Sequence, residues 1–228
     1  SKTDDFFFLE TDGEAAQRLV CDLVTTRLPR SYGFDPIRDI QVLCPTKLGP
    51  TGTQALNVEL QNLLNPPQKG KPQLQSAARV FRVGDKVMQV RNNYDIVWQQ
   101  PDGTAGTGIF NGDMGMIEML DNGSKTIQVR FEDKLATYSF ENQDQLEHAY
   151  AVTVHKSQGS EFEAVVMPLE RRHPRLHYRN LLYTAVTRAR RLLIMTGQKE
   201  TVYAMVQNDR RTLRYTNQKE MLREMVEE

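Results

Sequence analysis

The sequence predicts an α/β fold: a mostly parallel sheet with helices on both faces, interrupted by a small β-barrel. Three observations carry this. Short apolar runs at 6–9, 40–44, 149–154, 164–169 and 192–196 alternate with segments of helical period, as in strands joined by helical crossovers. Between about 80 and 140 the apolar runs shorten and are split by turn residues, which points to an inserted barrel. The third is the run 149–154. It empties into His155-Lys156-Ser157-Gln158-Gly159-Ser160-Glu161, the polar, glycine-containing turn with which open α/β sheets build ligand sites at strand carboxyl ends. The expected division is 1–80 and 147–228 for the two α/β parts and 81–146 for the insert.

Residues 6–9 open the chain as a buried strand, and Thr11-Asp-Gly-Glu14 has capping-box spacing. The helix it predicts turns Ala15, Ala16, Leu19, Val20, Leu23 and Val24 to one face. Residues 29–36, rich in breakers, read as a connection, and 40–44 as the next strand. A second helix from about Thr53 faces Leu56, Leu60, Leu63 and Leu64 inward, and Asn65-Pro66-Pro67 stops it. In the insert, 83–90, 114–120, 126–131 and 135–140 are strand candidates, with an Asn-Gly turn at 111–112. Residues 98–108 are polar and glycine-rich and read as a mobile surface loop whose deletion leaves folding intact. After 162 come a strand, a basic connection through Arg171, Arg172, His173 and Arg175, and a helix at 178–188. A strand at 192–196, a helix at 199–208 and a charged tail close the chain.

Lys plus Arg equals Asp plus Glu at 29 each, so no global field advertises nucleic acid, and any such affinity belongs to a local surface. Cys21 and Cys44 are too few for a disulfide framework or a zinc site and read as reduced core residues. No metal-ligand spacing occurs. With no long apolar run or leader signature, the chain reads as cytoplasmic, without a membrane partner. Its start at Ser1 suggests an excerpt of a longer protein.

Tyr150-Ala-Val-Thr-Val-His-Lys-Ser-Gln-Gly-Ser-Glu-Phe162 resembles motif V of superfamily 1 DNA helicases, and Leu182-Tyr-Thr-Ala-Val-Thr-Arg-Ala-Arg190 resembles motif VI. Val42-Leu-Cys-Pro-Thr-Lys47 resembles motif IV, and 81–95 with 108–113 fit the RecD-like branch. The resemblance implies the second RecA-like domain (P-loop NTPase type) of an ATP-dependent DNA helicase, with an SH3-like barrel inserted. It also implies 5′-to-3′ travel, work alone or beside nuclease-complex subunits, and single-stranded DNA as partner. Arg188 matches the motif VI arginine finger, whose planar, always-protonated fork suits a phosphoryl-transfer transition state. By the same resemblance Gln158, Gly159 and Glu161 meet the ATP, Glu161 at the ribose. Lys47 meets the γ-phosphate as a point charge where an arginine would give a fork.

The strand's phosphates fall to Thr46, Thr153, His155 and Lys156, and Asn92 and Asn93 line its path. Several of these have plainer readings. Arg190 and Arg191 suit surface charges, Tyr183, a helix aromatic, suits the core better than the nucleotide, and Trp98 suits a wall of the barrel's core better than a base-stacking platform.

What the sequence lacks is equally informative. There is no Gly-x-x-x-x-Gly-Lys-Ser/Thr loop and no strand ending in paired carboxylates. ATP and Mg²⁺ are therefore expected to be held mainly by an upstream RecA-like domain, and this chain alone is expected to be inactive. Two other readings stand beside the motor: a non-catalytic single-strand-binding module, and a Pif1-like or relaxase-type superfamily 1 helicase.

Overall fold

The computed structural model describes residues 5–76, 79–170 and 178–209; the basic connection and the charged tail lie outside them. Strand β1 (Phe6–Glu10) leads to helix α1 (Gly13–Asp22), a π-helical turn (Leu23–Arg27) and α2 (Leu28–Tyr32); β2 (Ile40–Cys44) leads to α3 (Thr53–Leu64). Short strands follow: β3 (Gln73–Gln75), β4 (Val80–Arg82), β5 (Lys86–Gln89), β6 (Asn93–Gln99) and β7 (Ala105–Ile109). They continue as β8 (Met114–Asp121), β9 (Thr126–Phe131), β10 (Lys134–Ser139) and β11 (Leu146–His148). The chain closes with β12 (Ala151–Thr153), β13 (Phe162–Leu169), α4 (Arg179–Val186), β14 (Ala189–Gly197) and α5 (Lys199–Gln207).

The first sheet is wholly parallel, in the order β1-β14-β13-β2-β12. Its strands are apolar on both faces because both are covered. Ile40, Val42, Cys44, Ala164, Val166, Leu192 and Ile194 pack with Val20, Leu23, Val24, Leu56 and Leu60. Leu43, Val165, Met167, Leu193 and Met195 pack with Leu181, Leu182, Ala185 and Met205. Cys21 and Cys44 are free and buried, as expected. Among the described residues no helix is long and apolar enough to cross a membrane.

The first helical region departs from expectation. The N-cap of α1 is Asp12 and no side chain caps it. The backbone N–H of Thr11 instead extends the β1 ladder to Gly197 O (3.0 Å), which draws Thr11 out of the capping position. Residues 29–32 are helix, not connection. Pro29 has no N–H for the carbonyl four residues back, and the wider π turn just before it absorbs the break. Gly33, at φ 71°, ends the helix, its N–H reaching Pro29 O (3.0 Å). Ala15 and Leu63, expected inside, are exposed. Each helix meets the sheet along a narrow stripe, Ala16–Val20 and Leu56–Leu60, and their neighbours fall beside it.

The insert is an antiparallel sheet in the order β11-β5-β8-β9-β10-β6-β7. Consecutive strands β7 and β8 lie four places apart in that order yet are joined by residues 110–113 alone, so the sheet must curl. It encloses its own core of Phe81, Val87, Ile96, Ile117, Ile127, Val129 and Tyr138. Residues 98–108 are a correction: they form a hairpin, with Val97, Trp98 and Gln99 opposite Thr107, Gly106 and Ala105. Gln100 N–H donates to Thr104 O (2.8 Å) across its turn. The glycines misled because Gly106 serves packing. A Cβ there would lie 2.4 Å from the Trp98 ring, so Trp98 lies flat on its partner. Trp98 is packed against the insert's core, beneath the Lys134 ammonium (4.9 Å).

The buried carboxylate of Asp85 fastens the insert to the parallel-sheet layer. It accepts hydrogen bonds from Gln61 Nε2 (2.7 Å), Asn65 Nδ2 (2.7 Å), the Arg82 backbone N–H (2.7 Å), Tyr150 OH (2.9 Å) and His148 Nε2 (3.2 Å). Burial raises its pKa, but the hydrogen bond and charge of His148, with the Asn65 and Arg82 donors, outweigh burial and hold it below the usual carboxylate range.

Candidate nucleotide and nucleic-acid site

Strand β12 ends with Thr153 opposite Cys44, at the carboxyl end of β2, while β13 enters with Ala164 opposite Ile40, at its amino end. Residues 154–161 therefore carry the chain from one end of the parallel sheet to the other. Val154–Ser157 form one 3₁₀ turn, with Val154 and Ser157 buried and Ser157 Oγ donating to Val154 O (2.7 Å). That turn leaves His155 exposed and Lys156 half-buried. Gly159 then reverses the chain at φ 89° in open space, a backbone state glycine adopts without strain. Gln158 and Glu161 flank it, both exposed.

At the carboxyl end, Lys47, Thr53, Gln54, Asn57, Arg79, Glu147 and His148 line a groove of about 360 Å³. Lys47, Asn57, Glu147, Thr153 and Lys156 also share a smaller recess beside it. Thr46 Oγ1 accepts from Leu48 N–H (3.2 Å), shaping the loop that presents Lys47. Glu147 accepts from Lys156 Nζ (3.0 Å) and Arg79 Nη2 (3.2 Å). Burial pulls the Glu147 carboxyl up, but the Lys156 hydrogen bond and the charges of Lys156, Arg79 and Lys47 outweigh it, so it stays ionised.

At the amino end, Arg188 stands between α4 and β14. Its backbone carbonyl accepts from Phe162 N–H (2.8 Å), and its guanidinium donates to Ser160 O (3.0 Å) and Thr187 Oγ1 (3.2 Å). Both side-chain acceptors are neutral, and Arg188 Nε is buried with no partner. Its neighbours differ: Arg190 pairs with Glu161 (3.0 Å) and Glu163 (3.9 Å), and Arg191 with Glu163 (3.7 Å). The plain reading of these two arginines as surface charges is thus the observed one. Tyr183 is 69% exposed, so it is not core. A hydrogen bond ties the motif V segment to the start of α4, His155 Nε2 to Tyr178 OH (2.8 Å).

The structure therefore gathers Thr46, Lys47, Thr153 and Lys156 at one end, and Gln158, Gly159, Glu161 and Arg188 towards the other. Lys47 stands at the other end of the sheet from Arg188, because the β2 loop leaves from the carboxyl end. Asn92 and Asn93 stand apart in the insert and hold local structure. Asn92 Oδ1 accepts from Asn111 N–H (2.9 Å), and Asn93 bonds Asp95 N–H and Gln145 Oε1 (2.9 Å each). Sequence reasoning missed Glu147 and Arg79, which lie far apart in the chain and meet only through the insert's closure.

A model of the ATP-dependent RecD-like DNA helicase SH3 domain matches residues 56–131, and one of the UvrD-like helicase C-terminal domain matches residues 148–196. Over 151 residues the chain is 36% identical to the ATP-dependent RecD2 DNA helicase of Deinococcus radiodurans, covering 66% of the chain and 19% of that protein. Over 162 residues it is 28% identical to the RecBCD enzyme subunit RecD of Mycolicibacterium smegmatis, covering 71% and 26%. The chain thus spans about a fifth to a quarter of these relatives. A solved Pif1 helicase from Bacteroides, in complex with ADP-AlF3 and ssDNA, overlays at TM-score 0.45 and 17% identity, over 78% of the chain and 44% of that structure. That overlay is too slight to carry a conclusion. By its two matched domains and these relatives, the chain belongs to the RecD-like superfamily 1 DNA helicases.

Proposed function

We propose that this chain is the second motor domain of an ATP-dependent, 5′-to-3′ DNA helicase, with Arg188 as its arginine finger and the carboxyl-end groove as part of its single-strand track. The observation that carries this reading is the guanidinium of Arg188. Among its neighbours it alone has only neutral acceptors, with one buried N–H donor left over. A buried donor without a partner costs free energy, and a phosphate oxygen is the acceptor that both charge and fork would suit. The residues at the amino end therefore fit a nucleotide's phosphates.

ATP, when bound, supplies the phosphoryl bond to be broken. Arg188 would hold fixed positive charge beside it, positioned by Ser160 and Thr187. Gly159 would bring backbone N–H groups close, and Glu161 would exchange its Arg190 partner for the ribose. Thr46, Thr153 and Lys156 would grip the strand's phosphates, with His155 beside them. Lys47 belongs to that track rather than to the nucleotide. Lacking a phosphate-cradling loop, the chain alone would hydrolyse nothing; the Mg²⁺ ligands would come from the partner RecA-like domain. Polarity rests on the family likeness. A pure single-strand-binding module would have no use for Arg188.

The test is single-strand-stimulated ATP hydrolysis by the complete helicase. Arg188→Ala should lower the rate on the order of 10³-fold with DNA binding retained, while Arg190→Ala stays near wild type. An unchanged rate in Arg188→Ala would overturn the assignment.

A further inference from the structure

Glu147 sits among the cations that the track offers. Its two oxygens are shared out, Oε2 to Lys156 Nζ (3.0 Å) and Oε1 to Arg79 Nη2 (3.2 Å), with Lys47 on the same groove wall. Arg79 is anchored independently, its Nη1 donating to Leu146 O (2.8 Å), so its fork holds its place without Glu147. The side chains of Glu147 and Arg79 are each 33% exposed and that of Lys156 25%, open enough for a competing anion. Across the groove, Asn57 is committed to the Ala151 backbone, and His148 to Asp85. Three cations thus face one carboxylate, and a carboxylate and a phosphodiester make the same charge-assisted bonds to lysine and arginine.

We propose that Lys47, Arg79 and Lys156 form a phosphodiester subsite and that Glu147 is its built-in competitor, occupying the cations until a DNA phosphate displaces it. The proposal rests on the groove being the single-strand track and adds two things to that reading: a phosphate contact from Arg79, and a carboxylate that weakens the grip. A motor that must release and re-grip its strand at each step needs such a limit on affinity. With Glu147 in place, each arriving phosphate exchanges one ion pair for another, and the net gain per contact stays small.

The experiment measures binding of a fluorescent oligo(dT) to the 228-residue chain by anisotropy across a NaCl series, with thermal unfolding recorded on each sample. Glu147→Gln keeps the shape and removes the charge. It should bind about tenfold tighter at low salt, with a log K against log[salt] slope steeper by about 0.7 for each phosphate newly held. Arg79→Ala should weaken binding in the wild type, where Glu147 competes for it, and weaken it more in the Glu147→Gln background, where it removes much of the gain. Unchanged affinity and slope in Glu147→Gln, or a gain that survives Arg79→Ala combined with Lys156→Ala, would overturn the proposal. A lower melting temperature with the slope unmoved would assign Glu147 a purely structural clamp and overturn it equally. Should the wild type and Thr153→Ala bind the oligonucleotide identically with no salt dependence, the track reading itself falls. If Thr153→Ala weakens binding while Glu147→Gln does nothing, only the proposal falls.

Discussion

The two ends of the parallel sheet carry positive charge in opposite ways. At the carboxyl end, Lys156 and Arg79 share one carboxylate and Lys47 stands close by. At the amino end Arg188 has no carboxylate, only a carbonyl, a hydroxyl and an unpartnered N–H. An ion pair that must be exchanged favours contacts that form and break repeatedly. A charge held in place by neutral groups keeps its full field for whatever anion arrives and needs no reorganisation. Under the proposed function, the contrast would separate a surface for moving a strand from a point for stabilising a reaction, within a span crossed by residues 154–161.

Substitutions at the two ends should differ widely in the size of their effects. The largest expected effect is the roughly 10³-fold difference in ATP turnover between Arg188→Ala and Arg190→Ala, because only the first arginine lacks a carboxylate partner. Next comes the support of the carboxyl end. Asp85→Ala would leave the donors of Gln61, Asn65, Tyr150, His148 and Arg82 facing one another without an acceptor, at a cost of about 3–5 kcal/mol, read by urea unfolding. It should also weaken oligonucleotide binding, because Glu147 lies on β11 of the insert that Asp85 fastens and Arg79 is anchored to that strand.

The same group sets an acid limit. Its folded pKa lies below its unfolded value, so its stabilisation is complete above about pH 4 and drains away as pH falls through the folded value. Asp85→Asn should flatten that part of the stability profile; an unchanged acid limb would show that other carboxylates set it. The smallest effect is Thr153→Ala, costing about 1 kcal/mol of single-strand affinity for one neutral phosphate contact. Nucleotide affinity should not move, and a shift there would put Thr153 at the wrong end of the sheet.

The parallel sheet and the two motif segments were legible because each is local. Apolar runs such as 40–44 and 164–169 announce strands buried on both faces, and Arg188 is identified by the residues around it. The rest depended on tertiary pairing. The hairpin at 98–108 hid behind its glycines, whose purpose shows only when Trp98 is seen lying on Gly106. The helix through Pro29 hid behind a residue that normally ends one, because a π turn is not written in apolar spacing. Lys47 was assigned by its motif, but which end of the sheet its loop leaves from is a matter of strand direction. Glu147 and Arg79 carry no local signature, since neither is informative without the other.

The chain's only cysteines are Cys21 and Cys44. Burial, with Glu59 nearby, pushes the Cys21 thiol up to about 11, and burial with Glu170 pushes Cys44 higher still. At neutral pH on the order of one molecule in 10⁴ carries a thiolate at Cys21, so maleimide reagents meet an almost silent background. A single cysteine introduced at exposed Tyr183 would take a fluorophore cleanly in the otherwise native chain. With a labelled oligonucleotide as acceptor, energy transfer would then report how far from Tyr183 a bound strand lies.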